Sequence, residues 1–309
     1  MPSASARRDA VDTETLLKNL RTRSALLRAV RDFFYDGGFI EVETPVKIPA
    51  PAPEEYIESV TAGQGEFLRT SPELAMKELL SLGVGKMFQI GSAFRAGEFG
   101  RRHREEFTIL EYYAAGWDYR RLAAFTAEMF RRAAETVTGG SVVRRGGREI
   151  DLKNVGSITV DEAFRKYAGV SAFDADRGDT FDELMVLKVE PELGRNGITF
   201  LCDYPAARAS LARLSSADPR VAERWEVYVD GMELGNAFGE LTDGTEQRRR
   251  FAAAQAFRRA HGMLEYPEPE AFYRALDRGL PDSSGCAVGF DRLTMLLTGA
   301  DDISQVRFC

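Results

Sequence analysis

The chain has 309 residues, 44% hydrophobic and 29% charged, with a net charge of −7, a balance that describes a globular protein with a real core and disfavours sequence-independent binding to nucleic acid, which rests on neutralising phosphates. Its three cysteines, Cys202, Cys286 and Cys309, argue against a disulfide framework, and its two histidines, His103 and His261, exclude a histidine-rich metal site. No apolar run approaches the ~20 residues that span a membrane, and the polar stretch from Met1 to Glu14 has no signal-peptide core, so a cytoplasmic protein is expected.

Residues 1–12 read as a loose tail, and residues 13–309 as one domain. From Thr13, the apolar positions Leu16, Leu20, Leu27, Val30 and Phe34 recur at helical spacing, and Asp36-Gly37-Gly38 ends that helix. Phe39 to Glu43 alternates like a strand, and the proline-rich stretch from Pro49 to Glu55 reads as an irregular loop. Glu66 to Thr70 is a short strand. At Ser71-Pro72-Glu73 a serine cap, a proline and an acid agree on a helix start, and the helix runs to about Leu82.

Lys86 to Arg95 is a strand whose face bearing Met87, Gln89, Gly91, Ala93 and Arg95 has the character of a ligand-facing surface. An arginine-dense loop, Ala96 to Glu105, leads to a returning strand, Phe107 to Tyr113, with Ile109, Glu111 and Tyr113 on one side. Asp118 caps an amphipathic helix to about Val137. Between 139 and 195 the glycine pairs 139–140 and 146–147 mark turns, 161–167 and 182–189 read as helical, and 172–180 as a loop; no chemistry is legible there. Strands follow at 198–204, 224–229 and 232–241, the last two joined by the Asp230-Gly231 turn, and then a helix from about Thr245 to Gly262. Near the C-terminus the small, glycine-bearing stretch Gly285 to Gly289 turns into an apolar helix closed by Gly299, which puts Arg292 in its first turn.

Three features carry the chemistry. Arg95 ends a strand before a basic loop, Glu233 and Glu240 lie on another strand, and Arg292 stands at a helix start, where dipole and guanidinium both favour an anion. Such a pocket suits phosphoryl chemistry with Mg²⁺, because charge on the phosphate oxygens must be neutralised during attack. Glu233 and Glu240 are seven apart, so an ideal strand sends them to opposite faces, and a bend or bulge at Gly235 or Gly239 is needed to bring both to one ion. Neither a G-x-x-x-x-G-K-[ST] loop nor a G-x-G-x-x-G element occurs.

At these residues the chain resembles the catalytic core of class II aminoacyl-tRNA synthetases, the lysine branch in particular, from about residue 15 onward. Gly38-Phe39-Ile40-Glu41-Val42-Glu43-Thr44-Pro45 is similar to the first family motif, Phe94-Arg95 through Phe107-Thr108-Ile109-Leu110-Glu111 to the second, and Gly289-Phe290-Asp291-Arg292-Leu293 to the third. The resemblance implies an α+β fold, an antiparallel sheet flanked by helices, and a homodimer built on the first motif. Lysyl-tRNA synthetases carry an anticodon-binding barrel before this core, whereas about twelve residues precede it here. The stretches 205–212, 220–228 and 279–285 likewise resemble the free-standing ligases of the branch. Those enzymes use ATP to activate (R)-β-lysine or lysine and transfer it to a lysine side chain of elongation factor P, without stable tRNA binding.

By that resemblance, Arg95 meets the α-phosphate of ATP, and Arg292 the terminal phosphate and the adenine face. Ala96, Gly97, Glu98 and Arg104 of the loop, with Glu233, Leu234 and Gly289, complete the ATP contacts. Glu233 and Glu240 hold Mg²⁺, and Glu240 also meets the substrate amino group. Ser71, Pro72, Glu73, Tyr113 and Ala287 line the amino-acid pocket. Four positions depart from lysyl-tRNA synthetases: Ala96-Gly97 replaces an Asn-Glu pair, Arg104 stands where asparagine is usual, and Ala287 stands where they carry glycine. Two other readings remain at this stage, a synthetase-like regulatory subunit without catalysis and a ligase charging another amino acid onto a carrier.

Overall fold

The computed structural model describes residues 12–308. Asp12 is not part of a tail: its carboxylate accepts the backbone N–H of Thr15 at 2.9 Å and caps α1 (Thr13–Asp36). The other expected tail residues, and Cys309, lie outside the described residues. A short strand β1 (Ile40–Glu41) follows, then a three-stranded sheet of β2 (Lys47–Ile48), β3 (Thr61–Gly63) and β4 (Glu66–Leu68). Next come α2 (Glu73–Ser81), β5 (Lys86–Phe94), β6 (Glu106–Ala115) and α3 (Tyr119–Thr138), whose N-cap is Asp118, as expected.

The region with no legible chemistry holds the hairpin β7 (Val142–Arg145) and β8 (Arg148–Asp151), then β9 (Val155–Thr159), α4 (Val160–Ala163), α5 (Ala172–Arg177) and α6 (Phe181–Leu184); single π turns extend α4 and α6. The loop expected at 172–180 is therefore largely helix. Ser171 caps it, while Asp161 accepts both the Ser171 hydroxyl at 2.7 Å and the Ala172 N–H at 2.9 Å. The chain closes with β10 (Ile198–Pro205), β11 (Val221–Val229), β12 (Met232–Gly239), α7 (Gly244–Ala260), α8 (Glu270–Arg278), β13 (Ser283–Gly289) and α9 (Phe290–Thr298).

Eight strands form the central sheet in the order β1-β5-β6-β13-β12-β11-β10-β9. The sheet is mixed, because the outermost pairs, β1 with β5 and β9 with β10, are parallel while the six inner strands run antiparallel. Alternation along the strands then makes two unlike faces. Leu110, Tyr112, Val227 and Val288 join Leu26, Val30 and Phe34 of α1, Leu122 and Phe130 of α3, and Leu293 of α9 in the main core. Ile109, Glu111 and Tyr113 point the other way, and the cavity lies on that side. A second cluster beside it, Met76, Leu80, Met87, Phe238, Phe251 and Phe272, packs α2, α7 and α8 against this face. Among the described residues no helix is long and apolar enough to cross a membrane.

Candidate active site

One cavity of about 870 Å³ opens on the polar face of the sheet. Register builds its floor. Glu111 on β6 lies opposite Ala287 on β13, Ala287 opposite Asn236 on β12, and Asn236 opposite Glu226 on β11, so one row across four strands lines the cavity. At one end of this floor the charges are acidic, and at the other they are mostly guanidinium.

The acidic end gathers Ser71, Glu73, Glu111, Tyr113 and Glu240. The buried Glu111 carboxylate accepts the hydroxyls of Ser71 and Tyr113, each at 2.7 Å. Ser71 Oγ also accepts the Glu73 N–H at 3.0 Å, so one serine caps α2 and braces the acid. Burial, and then the Glu73 charge, push the Glu111 carboxyl up to about 8. Glu240 is pushed up to about 7, again chiefly by burial. Gly285 leaves the room this requires: a Cβ there would clash with the edge of the Tyr113 ring and lie 2.6 Å from Glu240 Oε1. Sequence reading missed Lys77, whose fully buried ammonium lies 2.6 Å from Glu73 and 2.6 Å from Glu240.

At the other end, the Arg95 guanidinium rides 5.0 Å from the Phe107 ring centroid. Its nearest carboxylate, Glu98, is 3.8 Å away, and its buried Nε has no hydrogen-bond partner. Arg292 stands in the first turn of α9, as expected, and donates to Glu233 Oε2 at 3.1 Å and to His103 Nε2 at 2.6 Å. Burial and the Arg292 charge hold the His103 imidazole below its ordinary value, in keeping with a neutral ring that accepts. Asp291, beside Arg292, is fixed by the Thr108 N–H at 2.8 Å and by Arg23 of α1 at 2.6 Å. Glu98, Leu234, Ala287 and Gly289 also line the cavity.

Several expected contacts are corrected. Pro72 heads α2, its carbonyl accepting the Met76 N–H at 3.0 Å, and does not line the cavity. Ala96 and Gly97 also lie off the cavity, because the Ala96 N–H is bonded to the Glu58 carbonyl and Gly97 makes a left-handed turn held by Glu105. Arg104, by contrast, does line the cavity, and its guanidinium also bonds the carbonyls of Gly100 and His103 and the Asp302 carboxylate, which pins the loop to the C-terminal segment.

The largest correction concerns the metal pair. β12 stays extended, and at about 3.3 Å per residue it carries Glu233 and Glu240 about 20 Å apart along the strand, even allowing for its bulge. Two side chains cannot close that gap onto one ion. Glu226 is better placed. It shares the cavity face with Glu233 on the neighbouring strand, where Tyr228, two residues on, lies opposite Glu233. Mg²⁺ takes one or two protein carboxylates, and Glu226 with Glu233 fits that donor set. In the free protein Glu226 is oriented by Arg224 and the Tyr228 hydroxyl, each at 2.6 Å, and Glu233 by Arg292. Among the described residues no group of three or more potential ligands occurs, so an ion there would draw its other ligands from phosphate oxygens and water.

A family model of tRNA synthetases class II (D, K and N) matches residues 5–308. The chain belongs to the class II tRNA synthetase family. It is similar to an elongation factor P–(R)-β-lysine ligase of Salmonella gallinarum, 37% identical over 305 residues and 94% of each chain. A ligase of the same name from Enterobacter sp. (strain 638) is 38% identical over 306 residues, again covering 94% of each. The class II assignment agrees with the mixed sheet flanked by helices. Within this synthetase core the residues that sequence reading overlooked share one signal, a charge at an inward position of an apolar element. Glu111 sits between Leu110 and Tyr112, Lys77 follows Met76, and Glu226 sits between Trp225 and Val227.

Proposed function

We propose that this protein is an ATP-dependent ligase that activates (R)-β-lysine, or lysine, as an adenylate and transfers it to a lysine side chain of elongation factor P. The observation that carries this reading is a single cavity with carboxylates at one end and unspent guanidinium at the other, in a synthetase fold. The acids answer a substrate's ammonium groups, and the arginines answer its triphosphate. Resemblance over 94% of the chain to ligases of that name supports the choice of substrates.

In the first step an oxygen of the amino-acid carboxylate attacks the ATP α-phosphorus. The new O–P bond forms as the bond to the β-phosphate oxygen breaks, and pyrophosphate leaves. Arg95 offers its free donors to the α-phosphate, and Arg292 faces the leaving phosphates. Glu226 and Glu233 would hold Mg²⁺, which when bound neutralises charge on the phosphate oxygens. Glu111, with Ser71 and Tyr113, holds one ammonium group of the substrate, while Glu73 and Glu240 serve the other. In the second step the partner's lysine amine attacks the carbonyl carbon, a C–N bond forms, AMP departs, and the amine proton passes to solvent. No side-chain nucleophile is needed. A net charge of −7 supports a protein partner over stable tRNA binding, and the same reading puts the protein in the cytoplasm.

Amino-acid-dependent pyrophosphate exchange is the direct test. Exchange is expected with (R)-β-lysine or lysine and not with neutral amino acids; exchange with none of a full panel would refute the reading. Glu226→Gln and Glu233→Gln should each lower exchange by about 10²-fold or more with the fold intact, and near-normal rates would make the pair structural.

Ala287 bears on the isomer. Its methyl lies in the floor row between Glu111 and Asn236, where α- and β-lysine differ by one carbon in the place of an amino group. Ala287→Gly is expected to shift the exchange ratio toward α-lysine, within the roughly 10–200-fold that a methylene's worth of shape supplies. An unchanged ratio would put discrimination elsewhere in the pocket.

The exposed Tyr35, Ile40 and Val46 lie at the end of α1, on the edge strand β1 and just beyond it. This apolar edge supports the homodimer, so light scattering at micromolar concentration should return twice 34.4 kDa. A monomer mass would count against it.

A further inference from the structure

Lys77 takes no part in either step above, yet it is the most completely buried ammonium group around the cavity. It lies on α2, one turn after Glu73, with its Nζ 2.6 Å from Glu73 Oε1 and 2.6 Å from Glu240 Oε2. Those two acids come from elements far apart in sequence, and both line the cavity with Glu111. Burying an ammonium group is unfavourable unless it is paired, so its place on an apolar helix face needs a reason. Burial alone would lower the Lys77 pKa; the Glu240 and Glu73 charges overcome that and hold it above its ordinary value.

The charge count supplies the reason. Lys77 pairs with two of the three carboxylates, Glu73 and Glu240, so with Glu111 also ionised the group carries two negative charges in excess. In the empty pocket burial keeps a proton on Glu111, which an incoming ammonium group displaces. Two other cations whose charges act on these acids, Arg69 on Glu111 and Arg213 on Glu240, are spent. Arg69 donates to the carbonyls of Ser92, Thr44 and Pro45 and to the Thr44 hydroxyl, and Arg213 pairs with Glu223 and Asp282.

We propose that Lys77 is a built-in countercation, a positioning residue that holds Glu73 and Glu240 together and leaves the pocket short of two positive charges, so that it selects a substrate bearing two ammonium groups. Without Lys77 the shortfall is three, and a diamino acid no longer balances it. Without the Glu73–Lys77–Glu240 link, α2 also loses its tie to the end of β12. This inference rests on the amino-acid-activating reading above.

The test is pyrophosphate exchange by the full-length protein, with Lys77→Ala and Lys77→Met beside the wild type. Each variant should raise the KM for the diamino acid on the order of 10²-fold, while the KM for ATP stays within about twofold. Ethylammonium should restore Lys77→Ala, whose lost side chain leaves room for it, and not Lys77→Met. Ethanol, of similar size and uncharged, should restore neither. Parallel changes in both KM values, rescue by ethanol as good as by ethylammonium, or failure of both variants to fold would overturn the proposal and make Lys77 a core residue. If the wild type exchanges with no diamino acid, the functional reading falls and the Lys77 proposal with it. If the wild type exchanges and the variants match it, only the Lys77 proposal falls.

Discussion

Replacing Arg95 with alanine is expected to slow adenylate formation about 10³-fold, in the range found when a positioned donor or arginine is removed from a charge-developing site. The expectation rests on donors the free protein does not use. Arg95 Nε is buried without a partner, Glu98 is 3.8 Å away, and the guanidinium is held in place by stacking on Phe107. A buried, unsatisfied donor costs about 1–3 kcal/mol, so its removal should leave the melting temperature unchanged or raise it. Loss of activity without loss of stability separates a phosphate ligand from a structural cation. Arg292 offers the contrast: it already bonds Glu233 and His103, so Arg292→Ala should lower both activity and stability. If Arg95→Ala retains exchange within tenfold of wild type, Arg95 is not the α-phosphate ligand.

Glu111→Gln should be the other severe change. Its two oxygens are each bound by one hydroxyl, and the carboxylate is buried among Ser71, Tyr113 and Glu73. The amide keeps the shape but gives an incoming ammonium group no countercharge, and removing one partner of a buried ion pair costs about 3–5 kcal/mol. The kcat/KM for the amino acid should therefore fall about 10³-fold, with the KM for ATP unchanged. A pH signature accompanies it. Burial raises the Glu111 carboxyl from 4.5 to about 8 in the folded protein, so the free enzyme carries it mainly protonated at neutral pH. Amino-acid kcat/KM should then rise with pH until about 8 and flatten in Glu111→Gln. The stability effect has the opposite sign. Between the unfolded value and about 8 the folded state binds the extra proton, so this residue's contribution to stability declines as pH rises through that window. A wild-type profile that is flat through this range would mean that Glu111 is ionised in the empty pocket.

Local elements of this protein are written in its sequence because their causes are local. The helix from Thr13 follows from apolar residues at 3.6-residue spacing, and the α2 start from a serine, a proline and an acid within three positions. The alternation that turns Glu111 and Tyr113 away from Tyr112 follows from the pleat alone. The placing of Arg292 needs only a small-residue strand ending where an apolar helix begins.

What joins these parts was not local, and there the reading failed or was silent. A spacing of seven positions between Glu233 and Glu240 invited a shared metal ion; β12 remains extended, and Glu226 comes to the same face as Glu233 only because β11 is hydrogen-bonded beside it. Arg104 lines the cavity as expected, but its bond to Asp302, nearly two hundred residues away, was not legible. Nothing in the sequence singled out Lys77; the end of β12 sets Glu240 against it. Spacing along a chain determines which residues share a face of one element. Which charges meet across elements depends on strand order and register, set by hydrogen bonds between distant segments and by the core they close over.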